Sequence, residues 1–251
     1  MVSTANSEKE YKISVFRSIE EMSGALFDLL VDEFTLSIAE NRSYHLVLSG
    51  GSTPVKIFER IARMPLGRMN WDFLHIYWGD ERCVPPSHTE SNYLNLWNAI
   101  LRYIDIPEDN IHRIKGENDP EMESRRYAEV LQTHSPSANV FPRFDLVLLG
   151  IGEDGHTASI FPDTMHKLAT NELCYVAIQP QSRQNRITMS LKVLNNSKKI
   201  LFLATGDSKS GILAHIINKE QGFLMLPASY VKPESGELMW FLDAAAAKKI
   251  N

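Results

Sequence analysis

Cysteine is scarce in this chain. There are two in 251 residues, Cys83 and Cys174, far apart and without metal-type spacing. That excludes a disulfide scaffold and a cysteine-rich zinc module, and it fits reduced thiols in a cytoplasmic protein. Positive charge is not in excess either. Lys and Arg number 26 against 31 Asp and Glu, a net charge of −5, whereas a nucleic-acid partner needs a basic face. No apolar run approaches the roughly 20 residues of a membrane span. The opening segment, MVSTANSEKEYKISVF, lacks the basic stretch and apolar core of a signal peptide. Internal repeats, low-complexity tracts and long Gly, Ser or Pro linkers are absent, so residues 1–251 are expected to form a single domain. No nucleic acid and no membrane is expected as partner. Nothing in the composition fixes the oligomeric state, a monomer or small homo-oligomer.

What is present is alternation. Tyr44–Leu48, Phe73–Trp78, Asp145–Leu149, Tyr175–Gln179, Ile200–Ala204 and Leu238–Leu242 read as apolar strands. Helical spacing follows in Val55, Phe58, Ile61 and Ala62, in Leu94, Trp97 and Leu101 behind a Ser91 cap, in Ser208–Lys219 and in Ala244–Lys249. Strands alternating with helices imply βαβ units, a largely parallel sheet and helices on both faces. Pro107–Pro142 is the least legible stretch, a helix between loops.

The most informative segment is Asp145–Pro162, DLVLLGIGEDGHTASIFP. A buried strand runs into a turn broken by Gly150, Gly152 and Gly155, which carries Glu153, Asp154 and His156. Open α/β sheets bind ligands at the carboxyl ends of their strands. A histidine beside a carboxylate suits acid–base chemistry near neutral pH. The same glycines fit G-x-G-x-x-G, the dinucleotide fingerprint, but two acids fill the positions that would face a pyrophosphate. No strand-borne acid follows at the distance a ribose contact requires. A nucleotide is therefore not expected.

Leu48-Ser-Gly-Gly-Ser-Thr-Pro54 joins another strand to a helix. Gly50 and Gly51 let backbone N–H groups converge on an anion, with the Ser52 and Thr53 hydroxyls and the helix dipole adding to the site. Thr53 is expected as the cap and Pro54 as the first helical residue. No Gly-Lys-Ser/Thr follows, so this is not a triphosphate loop. Two further polar groups close strands: Asp80-Glu81-Arg82, and Thr205-Gly-Asp-Ser-Lys209. A cation in the first turn of a helix opposes the dipole, and a bound anion would account for Lys209 there. Arg186 is a weaker candidate of the same kind.

Together these pieces resemble the 6-phosphogluconolactonase family. The resemblance runs through Ser49–Pro54, Asp80–Pro85 with Ser91-Asn92, Leu149–Pro162, Arg186–Thr188, Thr205-Gly206 with Lys209, and Trp240–Asp243, in the family's order and over nearly the whole chain. The His156 block is its most specific part. Gly79, where a more apolar residue is usual, is the one small departure. The resemblance implies a three-layer α/β/α fold shared with glucosamine-6-phosphate deaminases and ribose-5-phosphate isomerases. It also implies hydrolysis of 6-phospho-D-glucono-1,5-lactone in the oxidative pentose phosphate pathway.

The chemistry suits the residues. A δ-lactone is an activated ester, so water can attack it directly. There is no G-x-S-x-G elbow and no His/Cys/Glu cluster at zinc spacing. The expectation is no metal and no cofactor, with His156 as general base, Asp154 orienting it, and Asp80 near the substrate hydroxyls or the water. Arg82, Arg186 and Lys209 would hold the phosphate with the Gly50–Thr53 loop. The rival enzyme is a glucosamine-6-phosphate deaminase, which usually follows its Gly-His with a segment ending in Asn-Glu-Pro, where this chain has Ser159-Ile160-Phe161-Pro162. A non-catalytic sugar-phosphate sensor is the third alternative.

Overall fold

The computed structural model describes residues 11–133 and 140–251. In chain order its strands and helices are β1 (Lys12–Phe16), α1 (Ile19–Ala39), β2 (Tyr44–Leu48), α2 (Ser52–Ile61), β3 (Leu74–Trp78), β4 (Asp80–Arg82) and α3 (Asn92–Ala99). Then come β5 (Ile111–His112), α4 (Pro120–Gln132), β6 (Leu146–Leu149), β7 (Cys174–Ile178), β8 (Asn185–Met189) and α5 (Leu191–Asn195). The chain closes with β9 (Lys199–Ala204), α6 (Ser210–Ile217), β10 (Glu237–Asp243) and α7 (Ala244–Ala247).

Seven strands form a parallel sheet in the order β1-β10-β9-β6-β2-β3-β5. Its inner strands are near-continuous apolar runs because helices cover both faces, as parallel sheets require. Helix α1 starts at Ser18, whose side chain accepts from the Glu21 N–H, and buries Met22, Leu26, Phe27, Leu30, Val31 and Phe34 at helical spacing. Each such side chain contributes about 1.5–3 kcal/mol on leaving water. On the other face Tyr127 of α4, wholly buried, donates to the Trp78 carbonyl and accepts from the Trp78 N–H, both at 2.9 Å. That pair of bonds fixes the end of β3 just before the polar segment that follows. No helix among the described residues is long and apolar enough to cross a membrane.

From β2 the chain steps outward to β3 and β5; from β6 it steps the other way, to β9 and β10. The reversal between β2 and β6 is the switch point at which open α/β sheets bind ligands, beyond the carboxyl ends of the strands. A small antiparallel sheet, β4-β8-β7, stands beside it. Gly79 joins the two sheets, donating to the Leu48 carbonyl and accepting from the Met189 N–H, each at 2.8 Å. A β-carbon there would lie 3.3 Å from Ser49 Oγ, a close fit that the hydroxyl would have to ease by a few tenths of an ångström.

The expected strands agree to within one or two residues at each end. Three local expectations are corrected. Helix α2 begins two residues earlier than expected: Gly51 is its N-cap, without a side-chain hydrogen bond, and Pro54 is the third helical residue. Thr53 therefore does not cap; its Oγ1 is 2.8 Å from Thr205 Oγ1, tying the β2–α2 loop to the β9–α6 loop. Helix α3 ends at Ala99 and Leu101 belongs to a separate 3-10 turn. Lys209 ends a 3-10 turn at the entrance to α6.

Candidate active site

A cleft of about 250 Å³ opens at the switch point. Of the ten residues expected at the site, all but Asp154 line it. The loops after β2 and β9 supply Gly50, Gly51, Ser52, Thr53 and Lys209. The β6 loop and the small sheet add His156, Asp80, Arg82 and Arg186. The G-x-G-x-x-G segment opens no helix, so the dinucleotide geometry is absent.

Asp154 stands behind His156. Its Oδ1 is 2.5 Å from His156 Nδ1 and also accepts from the His156 backbone N–H at 3.1 Å. Burial raises the Asp154 pKa, but the hydrogen bond and charge of His156 outweigh it and hold the carboxyl below its ordinary range. An ionised Asp154 accepts the Nδ1 proton and leaves the Nε2 lone pair as the basic site. The turn closes through Gly152 N–H to His156 carbonyl at 2.8 Å. A β-carbon on Gly152 would lie 2.1 Å from Nδ1, so only glycine lets the imidazole lie against its own loop. Phe161, buried, sets its ring 5.0 Å from the imidazole.

Asp80 is buried and doubly held. Ser159 Oγ donates to Oδ2 at 2.6 Å, and Asn92 Nδ2 donates to the Asp80 carbonyl at 2.9 Å. Asn92 lines the cleft against Gly50, where a β-carbon would overlap its amide. Glu81 points the other way. It accepts from the N–H groups of Arg82, Asn92 and Tyr93 at 2.7, 2.7 and 2.8 Å and from Ser91 Oγ at 3.1 Å. Burial raises its pKa against these donors. Its role is to fasten the N-terminus of α3 to β4. Glu81, Asn92 and Ser159 stand outside the ten expected residues. Ser91-Asn92 and Ser159 lie within the motifs quoted for the resemblance, but only their tertiary partners reveal what they do.

The cations have the least expected geometry. Arg82 and Arg186 are direct cross-strand partners in the β4–β8 ladder, where like charges are destabilising. The Nε of each is buried and without a partner, and neither guanidinium is in an ion pair among the described residues. Burial first, then the Arg82 charge, pulls the Arg186 pKa down. Lys209, which lines the same cleft, also lacks an anionic partner among the described residues. Arg82 Nη1 donates to the Glu90 carbonyl and Asp80 shares the cleft, so the three cations are compensated there only in part.

The two thiols are not nucleophiles in waiting. Burial pushes Cys83 up to about 11 and Cys174 up to about 12, which keeps both protonated at neutral pH.

Comparison with known proteins agrees with this architecture. The family model described as glucosamine-6-phosphate isomerases/6-phosphogluconolactonase matches residues 17–240. A 6-phosphogluconolactonase of Haemophilus influenzae is 40% identical over 222 residues, covering 88% of this chain and 94% of that protein. The human 6-phosphogluconolactonase is 35% identical over 245 residues, covering 95% and 93%. The solved 6-phosphogluconolactonase of Trypanosoma brucei superposes with a TM-score of 0.82 at 26% identity, covering 96% of this chain and 99% of that one. A cleft at the switch point and a match running through nearly every strand that builds it lead to one assignment: the chain belongs to the glucosamine-6-phosphate isomerase/6-phosphogluconolactonase family.

Proposed function

We propose that this protein hydrolyses 6-phospho-D-glucono-1,5-lactone to 6-phospho-D-gluconate, the lactone-opening step of the oxidative pentose phosphate pathway, in the cytoplasm. The observation that carries the proposal is the His156–Asp154 pair on one wall of a cleft ringed by Arg82, Arg186 and Lys209. A base and an anion cradle share one small cavity. The names of the relatives point the same way.

In this mechanism Arg82, Arg186 and Lys209, with Ser52, Thr53 and the N-terminus of α2, hold the phosphate. Asp80, fixed by Ser159 and Asn92, receives substrate hydroxyls or the attacking water. His156 Nε2 takes a proton from that water as the oxygen adds to the lactone carbonyl. Asp154 stabilises the imidazolium, and a cation of the cleft meets the developing oxyanion. The tetrahedral intermediate expels the ring oxygen, which takes the proton back from Nε2. Water is consumed, one C–O bond breaks, and no covalent enzyme intermediate forms.

A deaminase would require a further carboxylate on this loop. The ring of Phe161 beside His156 supports the lactonase reading over it. The test is lactone hydrolysis measured against its spontaneous background, alone and beside glucosamine 6-phosphate. The expected result is lactone turnover that His156→Asn lowers by about 10²–10⁴, the usual worth of a positioned base. Release of ammonia from the amino sugar would favour the deaminase, and binding without turnover would favour a sensor.

A further inference from the structure

The closing Trp240-Phe-Leu-Asp243 segment has no part in the mechanism above, yet it reaches the anion cradle from behind. Asp243 ends β10. Both of its carboxylate oxygens accept from the Gly206 N–H at 3.0 Å, and Oδ1 also accepts from the Ala246 N–H at 2.7 Å, capping α7. Gly206 has φ +93°, with open space where a β-carbon would go, so conformation and not crowding makes this position special. The Gly206 carbonyl in turn accepts from the Lys209 N–H at 3.2 Å. Asp243 and Lys209 are therefore joined through a single residue. A second tie lies alongside, an ion pair between Lys248 and Asp207 of the same turn. The base under these contacts is stiff: the Trp240 and Phe202 rings stack at 4.0 Å on neighbouring strands.

We propose that Asp243 is a positioning residue for the phosphate half of the cleft, fixing the Thr205–Lys209 turn so that the Lys209 ammonium meets the ligand. This rests on the reading that Lys209 holds the substrate's phosphate. Asp243 touches no substrate itself; it acts through the Gly206 peptide.

The experiment compares KM and kcat for the phosphorylated lactone, and competitive inhibition by inorganic phosphate, across a set of variants. Lys209→Ala and Asp243→Ala should each raise KM and the phosphate inhibition constant about tenfold, the scale of one charge-assisted contact, with kcat changed less than about twofold. The double variant should be no worse than Lys209→Ala alone, because both changes remove the same contact. Asp243→Asn keeps one oxygen able to accept from Gly206. It should raise KM only roughly threefold, and not at all in the Lys209→Ala background. Ala246→Gly weakens α7 behind the same cap and should lower the melting temperature while leaving KM alone. If Lys209→Ala raises KM and Asp243→Ala does not, the positioning role is wrong and the phosphate reading stands. If Lys209→Ala leaves KM unchanged, the phosphate reading itself fails. If Asp243→Ala does not fold, the Asp243→Asn pair decides: effects that multiply in the Lys209→Ala background overturn the proposal.

Discussion

Replacing Asp154 by Asn changes one atom and should remove most of the chemistry. In the native pair the carboxylate accepts the Nδ1 proton at 2.5 Å, which leaves Nε2 basic. An Asn amide can instead donate to Nδ1, which holds the proton on Nε2, and the base is then lost. The second loss is electrostatic. Opposite charges about 4 Å apart are worth roughly 1 kcal/mol in water and roughly 4 kcal/mol at an effective dielectric of about 20. The Asp154 side chain is 37% exposed and His156 30%, so solvent screening places the value midway, at about 2 kcal/mol. That is roughly thirtyfold in rate, and the tautomer adds about another tenfold. The expected fall in kcat is therefore about 10²–10³, short of the roughly 10⁴ seen when the buried triad aspartate of a serine protease is neutralised. KM should change little, because Asp154 does not line the cleft. The assay is continuous titration of the acid released, with spontaneous hydrolysis subtracted, and circular dichroism to confirm folding. A folded variant within threefold of the parent at pH 7 would refute the argument. The pH dependence gives an independent check. The Asp154 pKa is depressed, so its contribution is present above the ordinary carboxylate value and is lost only as pH falls through its lower folded value. Between about pH 5 and 8 Asp154 should therefore stay ionised and its support of His156 should stay constant.

Removal of the Arg186 guanidinium should relieve its repulsion with Arg82 and so raise the melting temperature of the unliganded protein, while KM rises at least about tenfold; a lower melting temperature with unchanged KM would contradict this. Gly152→Ala should be as damaging to kcat as loss of His156, because its methyl would occupy the place of Nδ1, and near-normal turnover would show that the loop can yield. Activity should survive exhaustive chelation; a loss restored by zinc or magnesium would reveal a metal requirement.

The inner strands were legible because burial on both faces writes β2, β6 and β9 as unbroken apolar runs. Strands β4 and β8 were not. DER and NRITM have polar residues that face a cleft, and their strand character comes from each other, across 104 positions of sequence, as in Arg82 opposite Arg186. Helix α1 is absent from the expectations although its signals, the Ser18 cap and apolar residues at three- and four-residue spacing, are plain in the sequence. The site divides in the same way. His156 and Asp154 are local, two residues apart on one glycine turn, and so could be paired from sequence. That Ser159 and Asn92 hold Asp80, and that Asp243 reaches Gly206, are tertiary facts with no sequence periodicity behind them.

The parallel pairing of β1 with β10 bears on how the chain is made. Lys12 and Glu237 form an ion pair at 3.3 Å across 225 residues, and β10 lies between β1 and β9. During synthesis β1 emerges well before β10 and waits without its partner until the strands between them have been made. Closing so long a loop is entropically slow, and contacts of this range delay folding. The waiting strand is mild, with Lys12 and Ser14 among its five residues and only Phe16 fully buried in the end, a poor template for aggregation. Because β10 also carries Asp243, its pairing with β1 and β9 brings with it the Gly206 contact that reaches the Lys209 turn. On the reading proposed above, a nascent chain would complete the His156–Asp154 turn before the Asp243 contact that orders the Lys209 turn.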